Sequence, residues 1–73
     1  MNKFIGTIPK NTREVVKVEL SEFNGHDLLS VRVWTKDTDR PTTKGLTVSV
    51  KLLPELLGAL GAAEVEARKA GIL

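Results

Sequence analysis

The dipeptide Asn24-Gly25 stands between two runs of alternating apolar and polar residues, and it restricts the possible folds more than any other feature of the sequence. Both residues favour a positive φ, so the pair suits a two-residue type I′ turn. The flanking residues, about 13–23 and 26–36, alternate with the period of a half-buried strand. The sequence therefore predicts a β-hairpin centred on this turn.

Two further strands and one helix follow from the same kind of pattern. Residues 45–51 alternate clearly and residues 3–9 more weakly, whereas 36–44, rich in Asp, Thr and Pro, predict a connecting loop. From about 54 to 70 the apolar spacing becomes helical, with Gly71 suited to end the helix. The whole chain is thus predicted to form a single α+β domain, a four-stranded antiparallel sheet followed by one C-terminal helix.

The two faces of the predicted sheet differ in character. One face is aliphatic and forms the expected core: Val16, Val18, Leu20, Leu29, Val31, Val33, Leu46, Val48 and Val50. The other face carries Arg32 and Trp34 two residues apart, where a plain solvated face would carry only polar groups. Symmetric pairing about the turn adds further residues to that surface: Lys17, Phe23 and Ser30.

The chain is small for an independently stable fold, and this predicts a homodimer. Its 73 residues contain no Cys and a single His, so neither disulfides nor a zinc cluster is expected to stabilise it. One helix covers only part of a four-stranded sheet, and a second subunit is the natural cover for the rest. The apolar stripe of the predicted helix consists of Leu53, Leu56, Leu57, Leu60, Ala63 and Ala67.

The sequence offers no enzyme motif. His26 flanks the predicted turn and is interpreted as a solvated side chain, and no Ser-His-acid set or carboxylate pair falls on one face. Gly58 and Gly61 lie inside the predicted helix and lack the Lys and Ser or Thr of a phosphate-binding loop. We therefore expect a non-enzymatic protein without metal or cofactor. Neither a signal peptide nor a membrane span is recognisable, so a cytoplasmic location is expected.

The cations and rings of the non-core face favour nucleic acid as a ligand. Nine of the eleven Lys and Arg residues lie within 1–51. Stacking of a base on an aromatic side chain is worth roughly 1–3 kcal/mol and is open to every base, which suits unpaired strands. The alternative is that Phe23 and Trp34 form a minor core against a loop or a second subunit, while the cations are simply solvated.

Three segments together resemble one known family. They are Glu22 to Trp34, Arg40 to Thr47 and Leu53 to Leu57. Their combination of a Phe-x-Gly turn, an Arg-x-aromatic strand end, a Lys-Gly-apolar strand start and a Pro-Glu helix start is similar to the C-terminal domain of transcriptional coactivator positive cofactor four. The short bacterial and phage members are the most similar, and the resemblance covers about residues 12–60.

The resemblance implies a homodimer of curved antiparallel sheets, each backed by a C-terminal helix. It also implies grooves that bind single-stranded DNA with little sequence preference and accept the two strands of a melted duplex. Carried over by motif, the binding residues are Phe23, Arg32, Trp34, Arg40 and Lys44. Predicted facing and charge alone add Lys17, Lys36 and Lys51. The chain departs from the family at His26 and Asp27, where members commonly carry a cation after the turn glycine.

The leading hypothesis is a single-stranded DNA-binding protein acting in transcription, replication or recombination, associated with the nucleoid if the host is bacterial. Two alternatives use the same face of the sheet. One is a protein-interaction module in which Trp34 docks a transcription or replication protein. The other is an RNA-binding protein, because stacking and phosphate contacts do not by themselves distinguish the two sugars.

Overall fold

The computed structural model describes residues 2–73 and consists of a four-stranded antiparallel sheet followed by one helix. The strands, in their order across the sheet, are β1 (Lys3–Pro9), β2 (Glu14–Phe23), β3 (His26–Thr35) and β4 (Arg40–Ser49). A 3₁₀ turn at Val50–Leu52 leads into helix α1 (Leu53–Lys69). The predicted α+β fold is confirmed.

The central hairpin has the turn that its sequence predicts. Asn24 has φ 52° and Gly25 has φ 80°, the positive values that a type I′ turn requires at both positions. Strands β2 and β3 then pair without interruption over ten residues each, from Phe23 opposite His26 to Glu14 opposite Thr35. This register fixes which side chains of the two strands share a face.

Strand β4 is longer at its start than the sequence predicted. Pairing with β3 begins at Arg40, so the second half of the predicted loop 36–44 is wrong and the connection is a turn of residues 36–39. Pro41 lies opposite Trp34 on an edge strand, where a missing N–H is tolerated. The register shifts between Arg32 and Trp34, which leaves residues 42–44 as a bulge opposite Val33.

One face of the sheet, hereafter the aliphatic face, collects the predicted core residues. By register its members are Ile8, Val16, Val18, Leu20, Leu29, Val31, Val33, Leu46 and Val48. Among residues 2–73, Leu29 at 4% exposure and Val33 at 9% are the only buried hydrophobic residues. Val50, which was predicted to extend this face, instead lies in the 3₁₀ turn. Within one chain the core is therefore confined to the middle of β3.

Helix α1 begins and ends where its local chemistry indicates. Pro54 and Glu55 occupy its first turn, and Arg68 and Lys69 its last, matching charge to the ends of the helix dipole. Gly71, with φ 75°, follows the helix, and its N–H donates to the carbonyl of Arg68 at 3.1 Å. A left-handed glycine after the last turn commonly ends a helix in this way.

The helix approaches the sheet at its first turn and leaves most of its apolar stripe open. Leu52 and Leu56 line a cleft together with Leu46 and Val48 of β4. Further along the helix, Leu57 and Leu60 are 61% and 57% exposed. The radius of gyration is 14.0 Å, whereas a compact domain of this length has about 11 Å. One chain thus leaves both the helix stripe and much of the aliphatic face uncovered.

Candidate nucleic-acid interface

The face of the sheet opposite the aliphatic one, hereafter the outer face, carries a cluster of cations and an indole ring. Lys17 of β2 lies directly opposite Arg32 of β3, and in the next row of the same face Trp34 lies between Val15 and Pro41. Arg32 and Trp34 are half-buried. Alternation along two paired strands is sufficient to bring Lys17, Arg32 and Trp34 together, as the sequence predicted.

Arg32 is held in place by β4. Its Nη1 donates to the carbonyl oxygen of Thr42 at 3.2 Å, and its Nη2 donates to Oγ1 of Thr47 at 3.2 Å. The Oγ1 of Thr42 in turn donates to the carbonyl oxygen of Val33 at 2.9 Å. This bond stabilises the bulge, from which the carbonyl of Thr42 accepts the bond from Arg32. A guanidinium has five N–H donors, so these two bonds orient Arg32 and leave donors for an anion.

The opposite residue on β4, Gly45, allows this arrangement by having no side chain. A Cβ at Gly45 would lie 2.6 Å from Cα and 3.0 Å from Cβ of Arg32. Its φ of +148° is also a conformation that L side chains rarely adopt. The close approach of β4 to β3 at Arg32 therefore requires glycine at this position.

The Lys17 side chain contacts both the Trp34 ring and an acidic residue. The Nζ of Lys17 lies 4.1 Å from the centroid of the Trp34 ring, within the range of a cation–π interaction. The same Nζ lies 2.9 Å from Oδ1 of Asp39 in the β3–β4 turn. The side chain of Lys17 is only 21% exposed, whereas that of Asp39 is 76% exposed. One face of the indole is therefore already occupied by an ammonium group.

Phe23 shares the outer face by register but lies at the far end of the sheet. It pairs with His26, eight positions along β2 from Val15, the partner of Trp34. At the rise of a β-strand this separates the two aromatic residues by about 27 Å. Phe23 is 66% exposed. It is therefore a second aromatic surface, separate from the cluster around Trp34.

Arg40 and Lys44 are directed away from this cluster. Arg40 pairs with Thr35, and Thr35 pairs with Glu14, so by alternation this row belongs to the aliphatic side. The Nζ of Lys44 lies 3.9 Å from Oε2 of Glu14. The structure therefore does not bring these two predicted site residues next to Trp34.

Glu14 organises a polar group at this end of the aliphatic side. Its Oε1 accepts hydrogen bonds from Nδ2 of Asn11 and Nζ of Lys10, both at 3.0 Å. The hydrogen bonds from Asn11 and Lys10, with the positive charges of Lys10 and Lys44, hold the pKa of the Glu14 carboxyl below its usual value. Glu14 therefore remains ionised and continues to neutralise its cationic neighbours.

The two remaining predicted cations lie at opposite ends of the sheet. Lys36 is exposed in the β3–β4 turn, where its backbone N–H donates to the carbonyl of Arg13 at 2.8 Å. Lys51 is exposed in the 3₁₀ turn and lines a cleft with Gly25 and His26 beside the hairpin turn. Lys51 is thus at the Phe23 end and Lys36 at the Trp34 end.

Sequence reasoning missed Asp39 and the role of Thr42. The contact between Asp39 and Lys17 depends on the conformation of a four-residue turn, in which Asp39 has a φ of 50°. Thr42 lay in the predicted loop, so its pairing near Arg32 was not anticipated. Thr47 had a usable signal, since the alternation of β4 places it outward on the side of Arg32.

Within residues 2–73, no group of three His, Cys, Asp or Glu side chains is arranged to hold a metal ion. In the same part of the chain, no helix combines the length and the apolar character needed to cross a membrane.

Comparisons with known proteins agree with this fold. The family model described as Transcriptional Coactivator p15 (PC4) matches residues 10–59. Among solved structures, the chain is similar to a PC4 homolog from Burkholderia pseudomallei, with a TM-score of 0.77 and 22% identity over 88% of this chain and 98% of that chain. At that identity the likeness concerns the fold. A search of curated proteins gave no significant match.

Proposed function

The chain belongs to the Transcriptional Coactivator p15 (PC4) family, a nucleic-acid-binding and non-enzymatic family, and on that basis we propose that it binds single-stranded DNA without sequence preference. The observation that carries the proposal is the cluster of Lys17, Arg32 and Trp34 on the outer face. It places two cations and one indole ring within neighbouring rows of a paired sheet. Phosphate neutralisation and base stacking need these two kinds of group side by side.

Arg32 is the principal phosphate ligand in this proposal. Its guanidinium is oriented by Thr42 and Thr47, so little side-chain entropy is lost when it binds an anion. The planar fork also fits two phosphate oxygens at once. Lys17 supplies the second charge in the same row.

Trp34 and Phe23 are the stacking surfaces. Each ring accepts any base, which accounts for binding without sequence preference. Because the two rings are about 27 Å apart along the strand direction, a single strand contacting both must run the length of the outer face. Lys51 lies at the Phe23 end and Lys36 at the Trp34 end, and in this proposal they attract the backbone as it enters and leaves.

The functional unit in this proposal is a homodimer. A second copy covers the helix stripe and the exposed part of the aliphatic face, which a soluble monomer rarely leaves open. The outer faces of both subunits then remain free, so a dimer offers two surfaces for the two strands of a melted duplex. Transcription, replication and recombination in the cytoplasm all expose such single strands, and the proposed function lies in one of these processes.

Binding of an oligo-dT strand tests the proposal. We expect retention of the strand in a mobility assay at low salt and quenching of the emission of Trp34, the only tryptophan. Arg32→Ala should weaken binding roughly tenfold or more. It should also make the slope of log K against log salt shallower by about 0.7, the value for one phosphate contact on a single strand.

Arg68→Ala is the matched control, since it removes the same charge from an exposed helix position paired with Glu64 at 3.0 Å. It should leave strand binding unchanged. Circular dichroism melting verifies that both variants are folded. Absence of strand retention by the wild type at low salt overturns the proposal. Tighter binding of a matched RNA strand would identify RNA as the ligand. If Arg32→Ala left binding of the oligo-dT strand unchanged but abolished binding of a polypeptide partner, the result would favour a protein-interaction module.

A further inference from the structure

The ion pair between Lys17 and Asp39 lies over the ring on which a base is proposed to stack. Asp39 belongs to the turn after β3, yet its carboxylate reaches Nζ of Lys17 on β2 at 2.9 Å. The ring centroid of Trp34 is 4.1 Å from the same Nζ. The same ammonium therefore contacts both the carboxylate and the indole.

Both contacts involve groups that can also bind a nucleic acid. A carboxylate and a phosphate offer a lysine ammonium the same ligand, an anionic oxygen at hydrogen-bonding distance. An ammonium and a base compete for the same aromatic face, because both interact with the π electrons. In the free protein, the Asp39 carboxylate is thus the anion bound to Lys17, and the Lys17 ammonium is the group that contacts the Trp34 ring.

We infer that Asp39 is an internal competitor of the nucleic-acid backbone and sets the affinity of the Lys17–Trp34 site. On binding, a phosphate replaces the Asp39 carboxylate at Nζ of Lys17, and a base replaces the ammonium on the Trp34 ring. This inference rests on the proposed function and adds a specific acidic residue that competes with the nucleic acid for Lys17.

The exchange predicts two measurable effects of Asp39→Asn. The Asp39 member of the lost ion pair is 76% exposed, and exposed pairs shift an equilibrium by roughly 1.5- to 5-fold, so oligo-dT should bind more tightly by a factor in that range. In the wild type, the charge of Lys17 is already neutralised, and Asp39 takes up a cation when it is displaced. In the variant that uptake is absent, so the slope of log K against log salt should steepen, but by less than the value of about 0.7 that one phosphate contact contributes.

Asp37→Asn is the matched control. Asp37 lies in the same turn, and its carboxylate accepts a hydrogen bond from the N–H of Thr38 at 3.0 Å. This variant removes the same charge without removing a contact to Lys17. Tighter binding with a steeper slope for Asp39→Asn but not for Asp37→Asn supports the inference. Equal gains in the two variants overturn it, and so does weaker binding by Asp39→Asn, which would make Asp39 a residue that positions Lys17 for the ligand.

A measurement on the free protein separates this inference from the proposed function. Acrylamide quenching of Trp34 reports access to the ring without any ligand, and the chain has no tyrosine to contribute emission. Asp39→Asn should raise the quenching constant, and Asp37→Asn should leave it at the wild-type value. Equal quenching in all three proteins overturns the claim that Asp39 holds Lys17 on the ring. Failure of the wild type and both variants to bind oligo-dT at low salt would instead remove the proposed function, with the competition that rests on it.

Discussion

Around Arg32, the geometry of the outer face depends on the backbone of the neighbouring strand as well as on side chains. Gly45 lies opposite Arg32, and an added Cβ would lie 2.6 Å from the Arg32 Cα. Backbone atoms of a paired strand cannot move aside without breaking the ladder on both sides. Any side chain at Gly45 therefore disturbs Arg32 together with the sheet.

Gly45→Ala is expected to lower the free energy of unfolding by at least about 2 kcal/mol, from steric overlap and an unfavourable φ combined. Gly6→Ala is the matched control, because Gly6 also lies in a strand but a Cβ there has no atom within 4 Å. Chemical denaturation monitored by Trp34 emission measures both variants. Similar losses of stability in the two would show that strand glycines in general, and not the close approach at Arg32, determine the result.

Some residues of the site could be predicted from a local sequence pattern, and others could not. Lys17, Arg32 and Trp34 were predictable, because a two-residue period on paired strands determines their common face. Lys44 was predicted as a site cation, but the bulge at 42–44 turns it towards Glu14. Asp39 was not predictable, since its contact spans 22 residues and depends on the conformation of one turn.

At the scale of the element, the β2–β3 hairpin depends on a left-handed turn. Gly25→Ala places a Cβ at a φ of 80°, which costs about 1–2 kcal/mol. For a chain of this size, each 1 kcal/mol lowers the melting temperature by roughly 4–8 °C. Thermal unfolding followed by circular dichroism should therefore detect the change.

Asn24→Gly changes the other residue of the same turn but retains its freedom to adopt a positive φ. It should change the melting temperature by no more than a few degrees. A comparable fall in both variants would mean that the Asn24 side chain, rather than the backbone conformation, stabilises the hairpin.

The elements differ in how far the sequence predicted them, and the reason is the range of the interactions involved. β2, β3 and α1 were located to within one residue, because period, turn chemistry and helix-end residues are all local signals. β4 was predicted to begin five residues late. Pro41 and the neighbouring Thr residues are typical of a loop, yet pairing with β3 on an edge position overrides that preference.

At the scale of the whole molecule, one chain has more apolar surface than it can cover. Among the described residues, only two hydrophobic side chains are buried, and the radius of gyration exceeds that of a compact domain of this length. A second copy that packs on the helix stripe and the aliphatic face would supply the missing core. Stability would then depend on protein concentration, because association shifts the folding equilibrium by mass action.

Leu60→Glu tests this assembly, because its effect differs between a monomer and a dimer. Leu60 is 57% exposed in the single chain, and an exposed substitution in a monomer changes stability by about 0.5 kcal/mol or less. In a dimer packed through the helix stripe, the same change buries a carboxylate, so light scattering should report half the mass and the melting temperature should fall.

Val65→Glu is the control for that change. Val65 is 51% exposed on the same helix, but at 100° per residue it lies well away from the stripe that contains Leu60. It should preserve both the dimer mass and the dependence of the melting temperature on concentration. A monomeric mass for the wild type at micromolar concentration would contradict the assembly directly. A dimer that survives Leu60→Glu but not Val65→Glu would place its contact on the other side of the helix, leaving the stripe for another partner.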